Sequence, residues 1–156
     1  MILVLGLGNP GHKYFLTRHN VGFLALDHLV SRCGLKIISN QFNSMYTRAE
    51  VSIHNALQRI IFAKPQTYMN NSGKAAQAFC QFYKIQPERV IAIHDDIDLA
   101  FGDVRAKAKG GTAGHHGIES IFEHLETDQF NRIRIGVGRP SDPSIDVVNY
   151  VLTPFN

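Results

Sequence analysis

At about 150 residues per domain the 156-residue chain is one domain, and 44% hydrophobic against 19% charged residues excludes a disordered polymer. A chain this long buries roughly 68–70% of its unfolded surface, so it needs no disulfide scaffold. Sixteen basic and thirteen acidic residues leave a net charge of +3, which permits an anionic partner without requiring one. No apolar run approaches the ~18 residues that span a bilayer, and Met1–Leu5 runs straight into glycine without a signal-type basic region, so the expected setting is cytoplasmic. The two cysteines, Cys33 and Cys80, have no Cys or His at zinc-finger spacing. Both lie among apolar residues at helical spacing and are expected to be buried free thiols in a reducing compartment.

In chain order, Met1–Leu5 is an apolar run ending at Gly6 and reads as a buried strand. Asn20–Arg32 carries Val21, Leu24, Leu26, Leu29 and Val30 near helical spacing, with Asn20 as a cap and Gly34 beyond the end. Ser44–His54 and Ala56–Ala63 read as two strands joined by a turn near Asn55. Lys64–Gly73 is a polar loop, and Ser72–Tyr83 a helix with Ala75, Ala78, Phe79, Phe82 and Tyr83 on one face. Val90–His94 is a short apolar strand, Asp103–Lys109 an alternating one, and Gly114–Leu125 a helix with Ile118, Ile121, Phe122 and Leu125 inward. Asn131–Val137 alternates Arg132/Ile133/Arg134/Ile135, a strand with one wet face. The segment 143–152 is open between helix and strand. Interleaved strands and helices predict a layered α/β domain with a parallel or mixed sheet.

Three segments are candidates for chemistry. Gly6-Leu7-Gly8-Asn9-Pro10-Gly11 fits the G-x-G-x-x-G dinucleotide pattern, but that fingerprint needs a helix starting inside the glycine turn. Pro10-Gly11 interrupts the chain, and the nearest acid, Asp27, lies inside a predicted helix. The sequence therefore argues against a nucleotide cofactor. Thr17-Arg18-His19-Asn20 lies beside a helix start on a loop that follows a sheet strand, where open α/β sheets place ligands. His94-Asp95-Asp96-Ile97-Asp98 ends an apolar strand. These residues could hold a metal, though successive strand side chains point to opposite faces. Alternatively one carboxylate fixes the tautomer of a histidine, or Asp96 and Asp98 cap turns. Between Val104 and Ile118 there are Arg105, Lys107, Lys109, His115 and His116 and no acid until after it. Arg105, Lys107 and Lys109 share one strand face, and Gly110-Gly111 leads to a helix start, a plausible phosphate site. Arg132 and Arg134 form a second same-face pair.

Taken together these blocks resemble bacterial peptidyl-tRNA hydrolases. The matching stretches are Gly6–Gly11, Tyr14 with Thr17–Asn20, Lys64–Asn70 with Ser72–Lys74, His94–Leu99, Gly114-His115, and Arg132–Gly136 with Gly138. They occur in family order across residues 2 to about 152. The resemblance implies a single-domain, three-layer α/β/α fold over 1–156 with a twisted mixed sheet, and an esterase that frees tRNA from peptide. It implies His19 as catalytic base, Asp95 as its supporting carboxylate, and Asn9 as an active-site asparagine that distinguishes peptidyl-tRNA from aminoacyl-tRNA. Asn70 matches a substrate-positioning asparagine, and Tyr14 and Tyr68 match aromatic positions lining the cleft for the 3′ end. Asn20, Met69 and His116 join them as expected substrate contacts. Arg105, Lys107 and Arg134 match basic positions that meet tRNA phosphates.

The implied mechanism is water activation by neutral His19, with asparagine amides holding peptide or oxyanion and no covalent intermediate. No Gly-x-Ser-x-Gly elbow supports a serine nucleophile. The expected partner is the acceptor end of peptidyl-tRNA, engaged by a monomer without metal, cofactor or membrane. Two departures stand out. His116 replaces the family's asparagine after the Gly-His pair, and the chain stops at Asn156 where the family continues into a C-terminal helix. A non-catalytic RNA-binding member of the same fold is the rival expectation.

Overall fold

The computed structural model describes residues 1–156. Seven strands form one sheet: β1 (Ile2–Gly6), β2 (Ser39–Gln41), β3 (Ser44–Ile53), β4 (Ala56–Pro65), β5 (Val90–Asp96), β6 (Val104–Lys107) and β7 (Asn131–Gly136). Their spatial order is β2-β3-β4-β1-β5-β7-β6. The four central strands β4, β1, β5 and β7 are parallel, while the β2–β3–β4 and β6–β7 pairings are antiparallel. The sheet is mixed, as expected, and its parallel centre explains the unbroken apolar strands: both faces are covered.

Alternation within β1 sets the layers. Leu3 and Leu5 face a cluster with Leu7, Ile61, Phe79, Ile118, Ile121 and Phe130, which packs α2 (Ser72–Tyr83) and α3 (His116–Leu125) on one side. Val4 faces the opposite cluster, where Leu26 and Val30 of α1 (Val21–Arg32) meet Ile60, Phe62 and Ile93. At the end of β1 the chain and α1 come together backbone on backbone. A Cβ on Gly6 would strike the Gly22 carbonyl, and one on Gly22 would strike the carbonyls of Leu7 and Ile93. Glycine at both positions therefore lets the loop of residues 7–20 lie against the C-terminal ends of the parallel strands.

Most expected elements are present, with informative shifts. Strand β5 continues through Asp96, so Asp95 is a strand residue rather than a loop residue. The segment 143–152 resolves as a short helix, α4 (Val147–Val151). Asn20 stands at the start of α1, but its side chain makes no capping bond. The wet face expected of β7 is not wet at Arg132, which is only 2% exposed. Its guanidinium bonds the Gly110 and Gly111 carbonyls at 2.8 and 3.1 Å and stacks on the Phe130 ring. Cys33 is exposed, against expectation: it stands just past the last residue of α1, Arg32, and before Gly34, which turns the chain at φ +70. Cys80 is half-buried, and burial pushes its thiol up to about 11. No helix is long and apolar enough to cross a membrane.

Candidate active site

A cleft of about 400 Å³ opens where the parallel strands end. The loop after β1 supplies Asn9 and Tyr14, and the turn before α1 supplies His19. Tyr68, Met69 and Asn70 come from the segment after β4, and Asp95 and Asp96 from the end of β5. His115 and His116 come from the start of α3, and one wall belongs to α4. This is where the crevice of an open α/β sheet is expected.

His19 and Asp95, 76 residues apart in sequence, meet here. His19 Nδ1 lies 2.9 Å from both Asp95 carboxylate oxygens. Asp95 is 3% exposed. Burial alone would raise its carboxyl, but the imidazoles of His115 and then His19 more than offset this and hold it well below the usual carboxylate range. An ionised carboxylate only accepts, so His19 Nδ1 carries the proton and donates. The Nε2 lone pair then faces outward with no partner inside the chain, in a side chain that lines the cleft.

His115 is the residue that sequence reasoning missed as a site residue. Its Nε2 lies 2.8 Å from Asp95 Oδ1, and its Nδ1 accepts from the Gly117 and Ile118 N–H groups at 3.1 and 3.3 Å. The imidazole thereby caps α3 and its tautomer is fixed: Nδ1 is the acceptor, so Nε2–H donates to Asp95. The Gly114-His115 match was the available signal. His94 adds a third imidazole. Its Nδ1 donates to the Asp95 carbonyl oxygen at 2.7 Å, its ring packs edge-on to His115 at 4.7 Å, and its Nε2 is sealed without a partner. Burial first, then the neighbouring His115, pushes its pKa down to about 3, so it is neutral.

The ligand atoms of His19, Asp95 and His115 fall within 4.8 Å of one another, close enough for a metal to be considered. The His115 tautomer argues against it. Offering Nε2 to a cation would require a proton on Nδ1, where two helix N–H groups already point. The cluster fits a hydrogen-bonded relay better than a coordination site.

Asn9 and Asn20 are interlocked. Asn20 Oδ1 accepts the Asn9 N–H at 2.8 Å, and its Nδ2 donates to the Asn9 carbonyl at 2.9 Å. Asn20 is 2% exposed and lies outside the cleft lining, so it positions Asn9 instead of touching substrate as expected. Asn9 Oδ1 in turn accepts the Met69 N–H at 2.7 Å, which leaves the two Nδ2 protons for the cleft. Tyr68 directly precedes the Met69 N–H that Asn9 holds. Tyr68 itself is held at φ 60, ψ 159, a region of glycine-like conformation that costs about 1–3 kcal/mol. Its ring stands 56% exposed at the cleft. Tyr14, Met69, Asn70 and His116 all line the cleft.

The basic residues divide. Arg105 and Lys107 are exposed on β6 and, through their pairing with Arg134 and Arg132, share a face with them. Arg134 is less free than expected: its Nη1 pairs with Asp96 Oδ2 at 3.3 Å, in a side chain 27% exposed. Asp96 also accepts the Asp98 N–H at 2.8 Å, so it is the turn-capping acid anticipated in this segment.

The family model described as peptidyl-tRNA hydrolase matches residues 3–156. The peptidyl-tRNA hydrolase of Lactobacillus johnsonii is 45% identical over 156 residues, all of this chain and 81% of the relative. That of Bdellovibrio bacteriovorus is 46% identical over 155 residues, 99% of this chain and 81% of the relative. A crystal structure of peptidyl-tRNA hydrolase from Acinetobacter baumannii superposes with a TM-score of 0.89 at 35% identity, covering all of this chain and 77% of that one. With a match spanning nearly the whole chain and a superposable fold, the chain belongs to the peptidyl-tRNA hydrolase family.

Proposed function

We propose that this protein is an esterase that hydrolyses peptidyl-tRNA, with His19 as general base and Asp95 as its orienting carboxylate. The observation that carries this reading is the His19 Nδ1–Asp95 bond at 2.9 Å, which leaves Nε2 unpartnered at an open cleft. Water held by Nε2 attacks the carbonyl carbon of the ester joining peptide to ribose. As the O–C bond forms, its proton passes to His19 Nε2 and the carbonyl oxygen becomes an oxyanion. Collapse of the tetrahedral intermediate breaks the bond to the ribose oxygen, which recovers the proton from the imidazolium. One water is consumed, and a peptide carboxyl and a free tRNA hydroxyl result. Base catalysis of this kind contributes roughly 10²–10⁴-fold.

The Nδ2 protons of Asn9 are the donors best placed for the peptide carbonyl or the oxyanion, and removing one such donor costs about 10²–10³ in kcat. Asn70 holds the peptide backbone, Tyr14 and Tyr68 offer ring faces to the 3′ end of the tRNA, and Met69 and His116 complete the contact surface. Arg105 and Lys107 meet the phosphates of the acceptor stem, with Arg134 alongside them. The reaction as derived needs no metal, cofactor or covalent intermediate, and it suits a cytoplasmic monomer. Incubating the purified protein with peptidyl-tRNA in the presence of a chelator tests the reading. Release of peptide and tRNA is expected, and loss of that release in His19→Ala. Binding of tRNA without ester cleavage by the wild-type protein would instead make the chain an RNA-binding member of the fold.

A further inference from the structure

One wall of the cleft is built from Val147, Val148, Val151 and Leu152, of α4 and the residue after it. Helix α4 has five residues. Isolated helices shorter than ~12–15 residues are marginal in water, so something outside α4 must hold it. The structure supplies Arg18, the neighbour of His19.

Arg18 is 6% exposed, and no carboxylate lies within ion-pair distance of it. Its Nη1 instead reaches Thr153 Oγ1 at 2.6 Å, the Pro154 carbonyl at 3.0 Å, and the Tyr150 and Thr153 carbonyls at 3.3 Å each. Its guanidinium carbon sits 4.0 Å from the centre of the Tyr150 ring. Two protons on Nη1 are thus shared among four oxygens at the C-terminal end of α4, where carbonyls left over from the helix collect partial negative charge. The Arg18 backbone N–H adds a bond to the Thr153 carbonyl at 3.1 Å. A planar fork that donates and stacks at once is a property of arginine that lysine lacks.

We propose that Arg18 is a positioning residue that fixes the α4 wall of the substrate cleft. The proposal rests on the esterase reading above and names a residue that holds one wall of the substrate cleft. The catalytic hydrogen bond runs from His19 to Asp95 and does not involve the Arg18 side chain. Loss of the guanidinium therefore loosens the wall and spares the base. The expected signature is a KM raised about tenfold or more with kcat changed little, the pattern of lost uniform binding.

The test compares wild type with Arg18→Ala, Arg18→Lys and Thr153→Val, the last removing the shortest Arg18 contact together with the Thr153 Oγ1 bond to the Tyr150 carbonyl at 2.6 Å. Three quantities are read: kcat and KM with peptidyl-tRNA, amide hydrogen exchange in residues 147–153, and recovery of Arg18→Ala by millimolar guanidinium ion. Faster exchange confined to 147–153, a raised KM in all three variants and partial recovery by guanidinium are expected. If Arg18→Ala does not fold, Arg18→Lys carries the test, with Thr153→Val as its companion. Exchange in 147–153 equal to wild type in these folded variants, or a fall in kcat at constant KM, overturns the proposal. Because exchange is measured without substrate, a wild-type protein that fails to cleave peptidyl-tRNA refutes the esterase reading separately from the Arg18 contact.

Discussion

Replacing Asp95 by asparagine changes one oxygen to an NH₂ group and tests the tautomer argument directly. Oδ1 accepts from His115 Nε2 at 2.8 Å and from His19 Nδ1 at 2.9 Å, while Oδ2 accepts from His19 alone. Two placements of the amide are available. With nitrogen in the Oδ1 position, it faces the His115 Nε2–H, which cannot give up its proton while Nδ1 accepts two helix N–H groups. That placement sets donor against donor. With nitrogen in the Oδ2 position, the His115 bond survives and the amide points a proton at His19 Nδ1. His19 then gains by moving its own proton to Nε2, where it can no longer accept one from water. The buried negative charge that stabilises the imidazolium is lost as well. In a Ser-His-Asp hydrolase the same exchange lowers kcat by about 10⁴, and a loss of about 10³–10⁴ is expected here. Steady-state release of peptide from peptidyl-tRNA, with circular dichroism to verify folding, measures it. Turnover within tenfold of wild type would show that Asp95 does not dictate the His19 tautomer.

Other predictions address separate parts of the molecule. Asn9→Ala should lower kcat about 10²–10³-fold if its amide serves the oxyanion, and the loss is read in kcat rather than KM. Lys107→Ala and Arg105→Ala should each reduce the slope of log binding constant against log salt by about 1 while sparing the cleavage step, measured by tRNA binding across a salt series; an unchanged slope excludes phosphate contact. His94 makes acid stability testable. Its native pKa is pushed down to about 3, while the unfolded chain takes up the proton near 6.5. Unfolded protein therefore binds more protons between these values, and stability falls as pH drops from about 6.5 toward 3. At 1.36 kcal/mol per unit this amounts to at most about 5 kcal/mol. His94→Leu should flatten urea midpoints over that window, and an equally steep decline in the variant would assign the acid sensitivity elsewhere. Finally, a thiol reagent should label exposed Cys33 well before Cys80, as peptide mapping will show.

The parts of the fold readable from sequence are those whose physical cause is local. Helix α2 was legible residue for residue, because its apolar spacing and the preceding loop are both written nearby. The hairpin of β3 and β4 was legible from β-branched runs around a turn. Errors gathered where distant partners decide. Strand β2, three residues long, forms only by pairing with β3. Strand β5 runs beyond His94 because Asp95 and Asp96 have β7 beside them. Position 132 alternates like a solvent-facing residue, yet its guanidinium is consumed by a glycine loop more than twenty residues earlier in the chain. Polar character in a strand predicts water only when no buried acceptor competes for the side chain.

The same distinction orders the site. Of the residues proposed to meet substrate or base, His19 and Asp95 could be suspected from residue type and setting, whereas Asn9 and Asn70 were singled out by the family resemblance alone. Residues that hold those four in place are chosen for a partner, and the partner is far away in sequence. Asn20 was expected to touch substrate, but both ends of its amide are committed to the backbone of Asn9, eleven residues earlier. His115 looks like one more member of a basic stretch until its ring is seen between a helix start and a carboxylate twenty residues away. Its role is also electrostatic. A buried carboxylate with no arginine or lysine on it would ordinarily drift toward the neutral acid, which would donate a proton to His19 Nδ1 instead of accepting one. Two imidazole donors, one locked by helix α3, keep Asp95 charged, and that charge keeps the His19 proton on Nδ1. The tautomer of the proposed base is thus set from the start of α3, where His115, its ring 5.0 Å from that of His19, is tied to the helix through Nδ1 and to Asp95 through Nε2, and a substitution at that cap should alter catalysis even with His19 and Asp95 themselves unchanged.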